Sequence, residues 1–419
     1  MDESSNDIDQ LFRQAAQHAA GLAYVLDPAK AIERGTLRRR FARRRRIALS
    51  GLVVLVAVVV FLVPLPQLHL FGSGPLGPTP VTQPGPSLGV VPADFQPSSF
   101  TAVSLEEWWM LGTARCDTGH GTCGAIVRTT DGGSKFAGIP GPPVSATEVT
   151  QLRFANALDG YGFDPQLWET TDGGASWTKV PTPGPVAELE AADGEAYALT
   201  CPDGFANCRS MDLLRSRVGS LKWQKASTPV TLGSGAQFAV SGPNLYVFSG
   251  DGPLDVLLHS ADDAATFSVR TDPCNPLLGG SLTAAADGNP TLWAACPSGT
   301  MAAILLSTNG GTTWRGPASS TEFFNDVGLA AASSSVVLAW PPQEISKAPP
   351  GALDRTTNGG RSYSTTLTVS SSSTVSWAGF SDPARAYALL EHGGPPTATT
   401  RLYESNDGGA TWHWVAIRS

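Results

Sequence analysis

The sequence predicts an all-β fold, a seven-bladed β-propeller, and three observations carry that prediction. An octapeptide of the type TTDGGASW recurs seven times, starting at residues 129, 170, 216, 260, 307, 356 and 405. The steps between copies are 41, 46, 44, 47, 49 and 49 residues. Short apolar stretches flank each copy, so every octapeptide reads as a tight turn joining two strands. Repeats of about 40–50 residues with a strand on either side of the turn are the signature of propeller blades. A solenoid would repeat more regularly and mostly at shorter steps.

The clearest copies are TTDGGASW (170–177) and SNDGGATW (405–412); TTDGGSKF (129–136), STNGGTTW (307–314) and TTNGGRSY (356–363) are close. SRVGSLKW (216–223) and SADDAATF (260–267) are worn. The second unit shows the order within a blade: TQLRFA, DGYGF, QLWETT, the turn, then WTKV, which reads as four short strands. FTAVS and EEWWMLGT supply the first blade, and WHWVAIRS ends the last one. The repeats therefore predict about seven complete four-stranded blades within a body of residues 98–419.

The turn has a physical logic. Its carboxylate accepts backbone N–H groups of its own turn, and its glycines supply positive φ without steric cost. Asp131, Asp172, Asp262 and Asp407 fill the acceptor position, and Asn309 and Asn358 still accept. The leading Ser or Thr hydroxyl is expected to tie the turn to the neighbouring strand. Trp177, Trp223, Trp314 and Trp412 are expected in the core, each contributing on the order of 1.5–3 kcal/mol by burial. Val218 cannot accept and Asp263-Ala264 breaks the glycine pair, so blades three and four should have altered turns.

These octapeptides resemble the Asp box, S/T-x-D-x-G-x-T-W/F, of bacterial-neuraminidase-type (BNR) repeats. GYGFDPQLWETTDGGASW (160–177) further resembles repeats of sortilin-like propellers and of the photosystem II stability factor family. The resemblance covers residues 100–419 and implies boxes that lie on the rim, away from a central site. Calcium binding by the boxes is not expected, because they lack the dense acidic spacing of calcium loops. No metal and no cofactor is expected.

Ahead of the body lie three further segments. Residues 47–63, IALSGLVVLVAVVVFLV, carry no charge and meet the lower limit of a spanning helix, about 17–25 residues. RRRFARRRR (38–46) precedes this run, and the next Lys or Arg after it is Arg115. Positive residues stay inside, so residues 1–46 are expected in the cytoplasm, 47–65 across the membrane and the rest outside. A leader of 46 residues is too long for the n-region of a cleaved signal peptide. Ile8, Leu11, Phe12, Ala15, Ala16 and Ala19 recur at helical spacing, which predicts a short amphipathic cytoplasmic helix. Residues 66–97 form a Pro/Gly-rich spacer.

Charge and cysteines agree with this topology. The net charge is −8, yet residues 1–46 hold ten Lys/Arg against six Asp/Glu, leaving −12 on the remainder. An acidic body argues against nucleic acid as its partner. All six cysteines lie beyond the span, where six permit fifteen pairings. Cys116 with Cys123, and Cys201 with Cys208, bracket the loop between second and third strands of blades one and three, both as C-x6-C. Cys274, in a connection, is left for Cys296, at the end of a second strand.

The catalytic signals of the resembled enzymes are missing from the sequence. Sialidases imply an F/Y-R-I-P segment, an arginine triad, a Tyr/Glu nucleophile pair and an Asp acid. The nearest string here is Gly138-Ile139-Pro140, without the arginine. Of thirteen arginines outside, Arg128, Arg215, Arg217, Arg355 and Arg361 sit beside or within rim turns. His120, His259, His392 and His413 are isolated, and no phosphate loop or G-x-S-x-G elbow occurs. Paired carboxylates remain possible, as in xyloglucanase-like propellers. Asp117, Asp164, Asp203 and Asp255 fall in or beside the loops between second and third strands, which gather on one face. Trp340 leads into a Pro-rich loop on that face, and Trp108-Trp109 put one ring between blades or in solvent.

These readings converge on a membrane-anchored, non-catalytic propeller that binds a protein or an envelope glycan on its loop face. One alternative is an envelope glycosidase of sialidase-like or related type. Another is a transmembrane signalling protein, since MDESSNDIDQLFRQAAQHA (1–19) with the Arg run and a single span resembles the stubs of anti-sigma-like membrane proteins.

Overall fold

The computed structural model describes residues 89–116, 120–249, 256–274, 280–298, 301–316, 327–341, 352–368, 373–393 and 398–419. The expected cytoplasmic, membrane-spanning and spacer segments up to residue 88 lie outside the described residues, as do Asp117 and Asp255. Among the described residues no helix is long and apolar enough to cross a membrane.

Seven antiparallel sheets follow one another along the chain, each an up-and-down meander in sequence order, with one addition in blade three, where Leu232–Gly233 also pairs with Ser210–Met211. They are blade one (96–139), two (149–180), three (186–225), four (237–270), five (281–307), six (328–368) and seven (373–415). The fold is therefore a seven-bladed β-propeller. Blade five departs from the expected four strands: among the described residues it has three, Ser281–Ala284, Leu292–Ser298 and Met301–Ser307. Leu306 and Arg315 exchange backbone bonds at 3.0 Å, an isolated bridge where the fourth strand is expected.

Packing between blades rests on one recurring side chain near the start of each second strand. Trp109, Tyr161, Tyr197, Tyr246, Trp293, Leu338 and Tyr387 occupy it, each at most 3 % exposed. Each is the cross-strand partner of the residue just ahead of its blade's octapeptide. Trp109 stacks on Phe154 of blade two at 4.0 Å. Its neighbour Trp108 points the other way, edge-on to Tyr387 of blade seven at 5.1 Å. Both tryptophans are fully buried between blades, so neither takes the exposed position allowed from sequence.

Six octapeptide turns share one hydrogen-bond set. The first-position hydroxyl donates to the Asp or Asn Oδ1 at 2.7–2.9 Å. It also accepts the fifth-position amide at 2.9–3.1 Å. The hydroxyl thus braces its own turn and not the neighbouring strand, because the Asp it orients lies only two residues away. Blade four, expected to be altered, keeps the whole set: Asp263 and Ala264 adopt φ of 58° and 59°, in place of the two glycines. Blade three is altered as expected, with Ser216 Oγ against Ser220 Oγ at 2.9 Å.

The fifth position is small because it faces the preceding blade. A Cβ on Gly174 would sit 2.7 Å from Ile139 of blade one, and one on Gly409 2.9 Å from Leu338 of blade six. The octapeptide aromatics are half-buried rather than core, apart from the buried Phe136. They close the turn ahead of the outer strand and reach back toward the preceding blade: Trp177 Nε1 donates to Pro140 O at 3.0 Å, and Trp314 Nε1 to Thr271 O at 2.8 Å.

In the octapeptide turn of blade three the left-handed positions are Gly219 (φ 74°) and Leu221 (φ 55°). Leu221 is 44 % exposed, so its side chain gives little packing in return for the strain. Leu221→Gly is expected to raise unfolding free energy by about 1 kcal/mol, the left-handed cost less the glycine entropy. Urea titration of the full-length chain checks this, and an unchanged or lower midpoint would refute it.

Candidate functional site

In an up-and-down blade the loops between second and third strands share an end with the connections to the next blade. The octapeptide turns occupy the opposite end. All three disulfides fall on the loop end: Cys116–Cys123 in blade one, Cys201–Cys208 in blade three and Cys274–Cys296 at the entry to blade five. These are the pairings the repeat positions suggest, with Cα–Cα separations of 5.1, 5.6 and 5.1 Å.

On the same end a shallow groove of about 330 Å³ runs between blades two and three. Pro165, Gln166 and Leu167 form one wall, and Lys179 to Thr182 with Gly184 and Pro185 form the other. Asp164 adjoins Pro165, is half-buried and accepts the Thr150 hydroxyl at 2.7 Å. Gly184 packs on the disulfide loop of blade three, where any Cβ would lie 2.1 Å from Cys201 O and 2.9 Å from the Pro202 Cα. Asp203 follows in that loop and is exposed. Of the five candidate face residues, Asp164 thus adjoins the groove in sequence, and Asp203 stands in the disulfide loop against which Gly184 packs. Trp340 sits in blade six, half-buried, with its ring lying over Gly328 where a Cβ would be 2.2 Å away.

Sequence reasoning missed the groove walls, because prolines in connections read only as turn formers. The pairing Gln166–Glu148 is also new: Gln166 Nε2 donates to Glu148 Oε1 at 2.6 Å and Ser145 Oγ to Oε2 at 2.7 Å. The Ser145 hydroxyl and amide, with Gln166, hold the Glu148 carboxyl below its ordinary range. What the groove offers is apolar contact, one lysine amine, an amide and a hydroxyl. Glycoside hydrolysis needs two carboxyls roughly 5–9.5 Å apart, and no carboxylate is among the lining residues.

The opposite end is chemically saturated. The Thr266 hydroxyl and amide, with Ser260, hold the Asp262 carboxyl down to about 2. For Asp407 burial pushes the value up, but the Thr411 hydroxyl and amide and Ser405 outweigh it, giving about 2. Asp131 and Asp172 are lowered in the same way, chiefly by the Lys135 amide and the Ser176 hydroxyl. A carboxyl held lower in the folded state stabilises above its unfolded value and loses that contribution as pH falls through the folded one. The urea midpoint of the full-length chain is therefore expected to drop between about pH 4 and pH 2. Asp262→Asn with Asp407→Asn should flatten part of that slope, as Asn309 and Asn358 already do in blades five and six. An identical slope in the double variant would count against this origin.

His259 is not free to bind a metal: its Nε2 meets Asn244 Oδ1 at 2.8 Å and its Nδ1 meets Arg270 at 2.9 Å. Among the described residues no group of three or more His, Cys, Asp or Glu is placed to hold a metal ion.

Neither a protein-family model nor a curated protein matches the sequence. Solved structures match in fold. YCF48 from Cyanidioschyzon merolae is similar at 13% identity and a TM-score of 0.51, over 77% of this chain and 98% of that one. The β-propeller domain of the Trilobed protease from Pyrococcus furiosus, described as having an open velcro topology, gives 9% and 0.54 over 78% and 98%. The Pyrococcus horikoshii acylaminoacyl peptidase gives 10% and 0.52 over 79% of this chain and 53% of its own. At these identities the likeness extends to the propeller fold alone, which proteins of different activity share.

Proposed function

We propose that this protein is a membrane-anchored, extracytoplasmic propeller that binds a protein or envelope-glycan ligand on its loop face without transforming it. One observation carries the reading: three disulfides brace loops of a single face, while on the opposite face Asp131, Asp172, Asp262 and Asp407 are taken up by their own turns. Stiffening loops that close no sheet contributes to preorganisation of a binding surface. Disulfides also fit an oxidising compartment, which agrees with the uncharged run 47–63 behind its arginines.

The test places a photo-crosslinking residue at Lys179 or Asp203 in the full-length chain in its native cells. Control positions are Ser134 and Ala410 on the opposite end. Crosslinks to a discrete partner from the loop positions alone support the reading. Crosslinks only from the octapeptide end would overturn the choice of face. Release of aryl glycosides by the purified full-length protein, abolished by Asp164→Asn or Asp203→Asn, would make it an envelope glycosidase instead.

A further inference from the structure

In blades one, three and six the residue just ahead of the octapeptide addresses the turn of the next blade. In blade three Arg215 Nη1 donates to Asp263 O at 2.5 Å, and in blade six Arg355 Nε donates to Gly408 O at 2.7 Å. Both acceptors are fourth-position carbonyls of the following turn. In blade one the guanidinium of Arg128 lies against the fourth-position Gly173, and Trp109 Nε1 donates to the Gly173 carbonyl at 3.4 Å. Blade two reverses the polarity, for Glu169 stands where these arginines stand.

The turn that Glu169 faces is the altered one. Regular turns satisfy their sixth- and seventh-position amides with the third-position side chain, as Asn358 Oδ1 does for Arg361 and Ser362, both at 3.1 Å. Val218 occupies the third position of blade three and has no acceptor. Glu169 Oε1 and Oε2 and the Trp223 indole N–H are all buried without a hydrogen-bond partner, while Ser220 Oγ accepts the seventh-position Lys222 amide at 3.3 Å. Tyr161 sits edge-on to Trp223 at 5.9 Å and closes the space. Glu169 is 1 % exposed and its cross-strand partners are Tyr161 and Thr178, neither a cation. The other carboxyl at this position, Glu404, is answered within its own blade by His413 at 3.1 Å and Arg385 at 3.4 Å.

We propose that Glu169 supplies, across the blade boundary, the acceptor that the third turn has lost, so that blades two and three are latched by a carboxyl borrowed from the preceding blade. The latch lies at the opposite end of the junction that carries the groove.

The test is hydrogen exchange of residues 216–223 in the full-length chain, with residues 356–363 of blade six as internal control. Glu169→Ala leaves the Trp223 indole N–H buried with no carboxyl to meet it, a loss on the order of 1–3 kcal/mol. Exchange in 216–223 is then expected to quicken about ten-fold or more, with blade six unchanged. Glu169→Gln keeps an acceptor and is expected to stay within about two-fold of the parent. Val218→Asp with Ser220→Gly rebuilds a regular turn with its own carboxylate. In that background Glu169→Ala should change exchange less than about two-fold, the coupling that marks a shared role. An effect of Glu169→Ala as large in the rebuilt turn as in the parent overturns the proposal, as does no effect in the parent. Should Glu169→Ala fail to fold alone, the rebuilt background still decides: a folded triple variant supports the latch, and an unfolded one refutes it.

Discussion

Trp108→Ala is expected to cost about 4 kcal/mol, in the range of large aromatic truncations in a packed core, and to open the ring at one place. Every blade is built from consecutive strands, so blades one and seven share no strand and the ring closes without a common sheet. Trp108 stands in that seam, with Phe100 at 5.9 Å and Tyr387 at 5.1 Å, and its ring covers Gly133. Few polar contacts join it: Thr400 N donates to Gln96 Oε1 at 2.8 Å, Phe136 N to Arg418 O and Val91 N to Ser419 Oγ, both at 2.9 Å. Trp109→Ala is the control, since that ring is equally buried but lies between blades one and two, which the chain itself connects. Both variants should lower the urea midpoint of the full-length chain. Only Trp108→Ala should speed hydrogen exchange in 96–102 and 399–405 well beyond the rest of the body. Equal exchange patterns in the two variants would mean that the seam is no weaker than the other junctions.

What was legible in the sequence is what repeats at a nearly constant step. Turn positions, blade number and the three cysteine pairs all follow from the octapeptide register, because a hairpin turn imposes its chemistry locally. The inter-blade rings were not legible. Tyr161 precedes its octapeptide by nine residues and Trp109 precedes its own by twenty, since the intervening loop varies in length. Their common role shows only in cross-strand register. Blade four was misread because Asp and Ala were judged unable to replace two glycines. Asp tolerates the left-handed region, and Ala264 is small enough to be buried in the core cluster that blades three and four share. For the candidate face, acids in loops were visible, but the groove that Asp164 adjoins depends on prolines from two connections meeting in space.

Replacing Cys274 and Cys296 by alanine is expected to cost about 3 kcal/mol, whereas replacing Cys116 and Cys123 should cost about 2 kcal/mol. The difference follows from loop length, since the first pair closes 22 residues of separation and the second only 7. Burial points the same way: Cys274 and Cys296 pack among Tyr246, Phe248 and Leu292, while Cys116 and Cys123 lie at the loop end of blade one, half-buried. Gly280 has to be glycine beside this bridge, because a Cβ there would meet the Cys274 sulfur at 2.5 Å. Urea midpoints of the two double variants, measured on the full-length chain, test the order. If removing Cys116–Cys123 proves the more damaging, loop-closure entropy is not what these bridges contribute. The same pair separates fold from function: a short, half-buried bridge that holds a loop of blade one, away from the groove, should, when removed, weaken crosslinking at Asp203 or Lys179 far less than removal of Cys201–Cys208. That second bridge closes an equally short loop, 7 residues, and stands directly against the groove through Gly184. Stability effects of the two short bridges should match, so any difference in ligand capture reports on position alone.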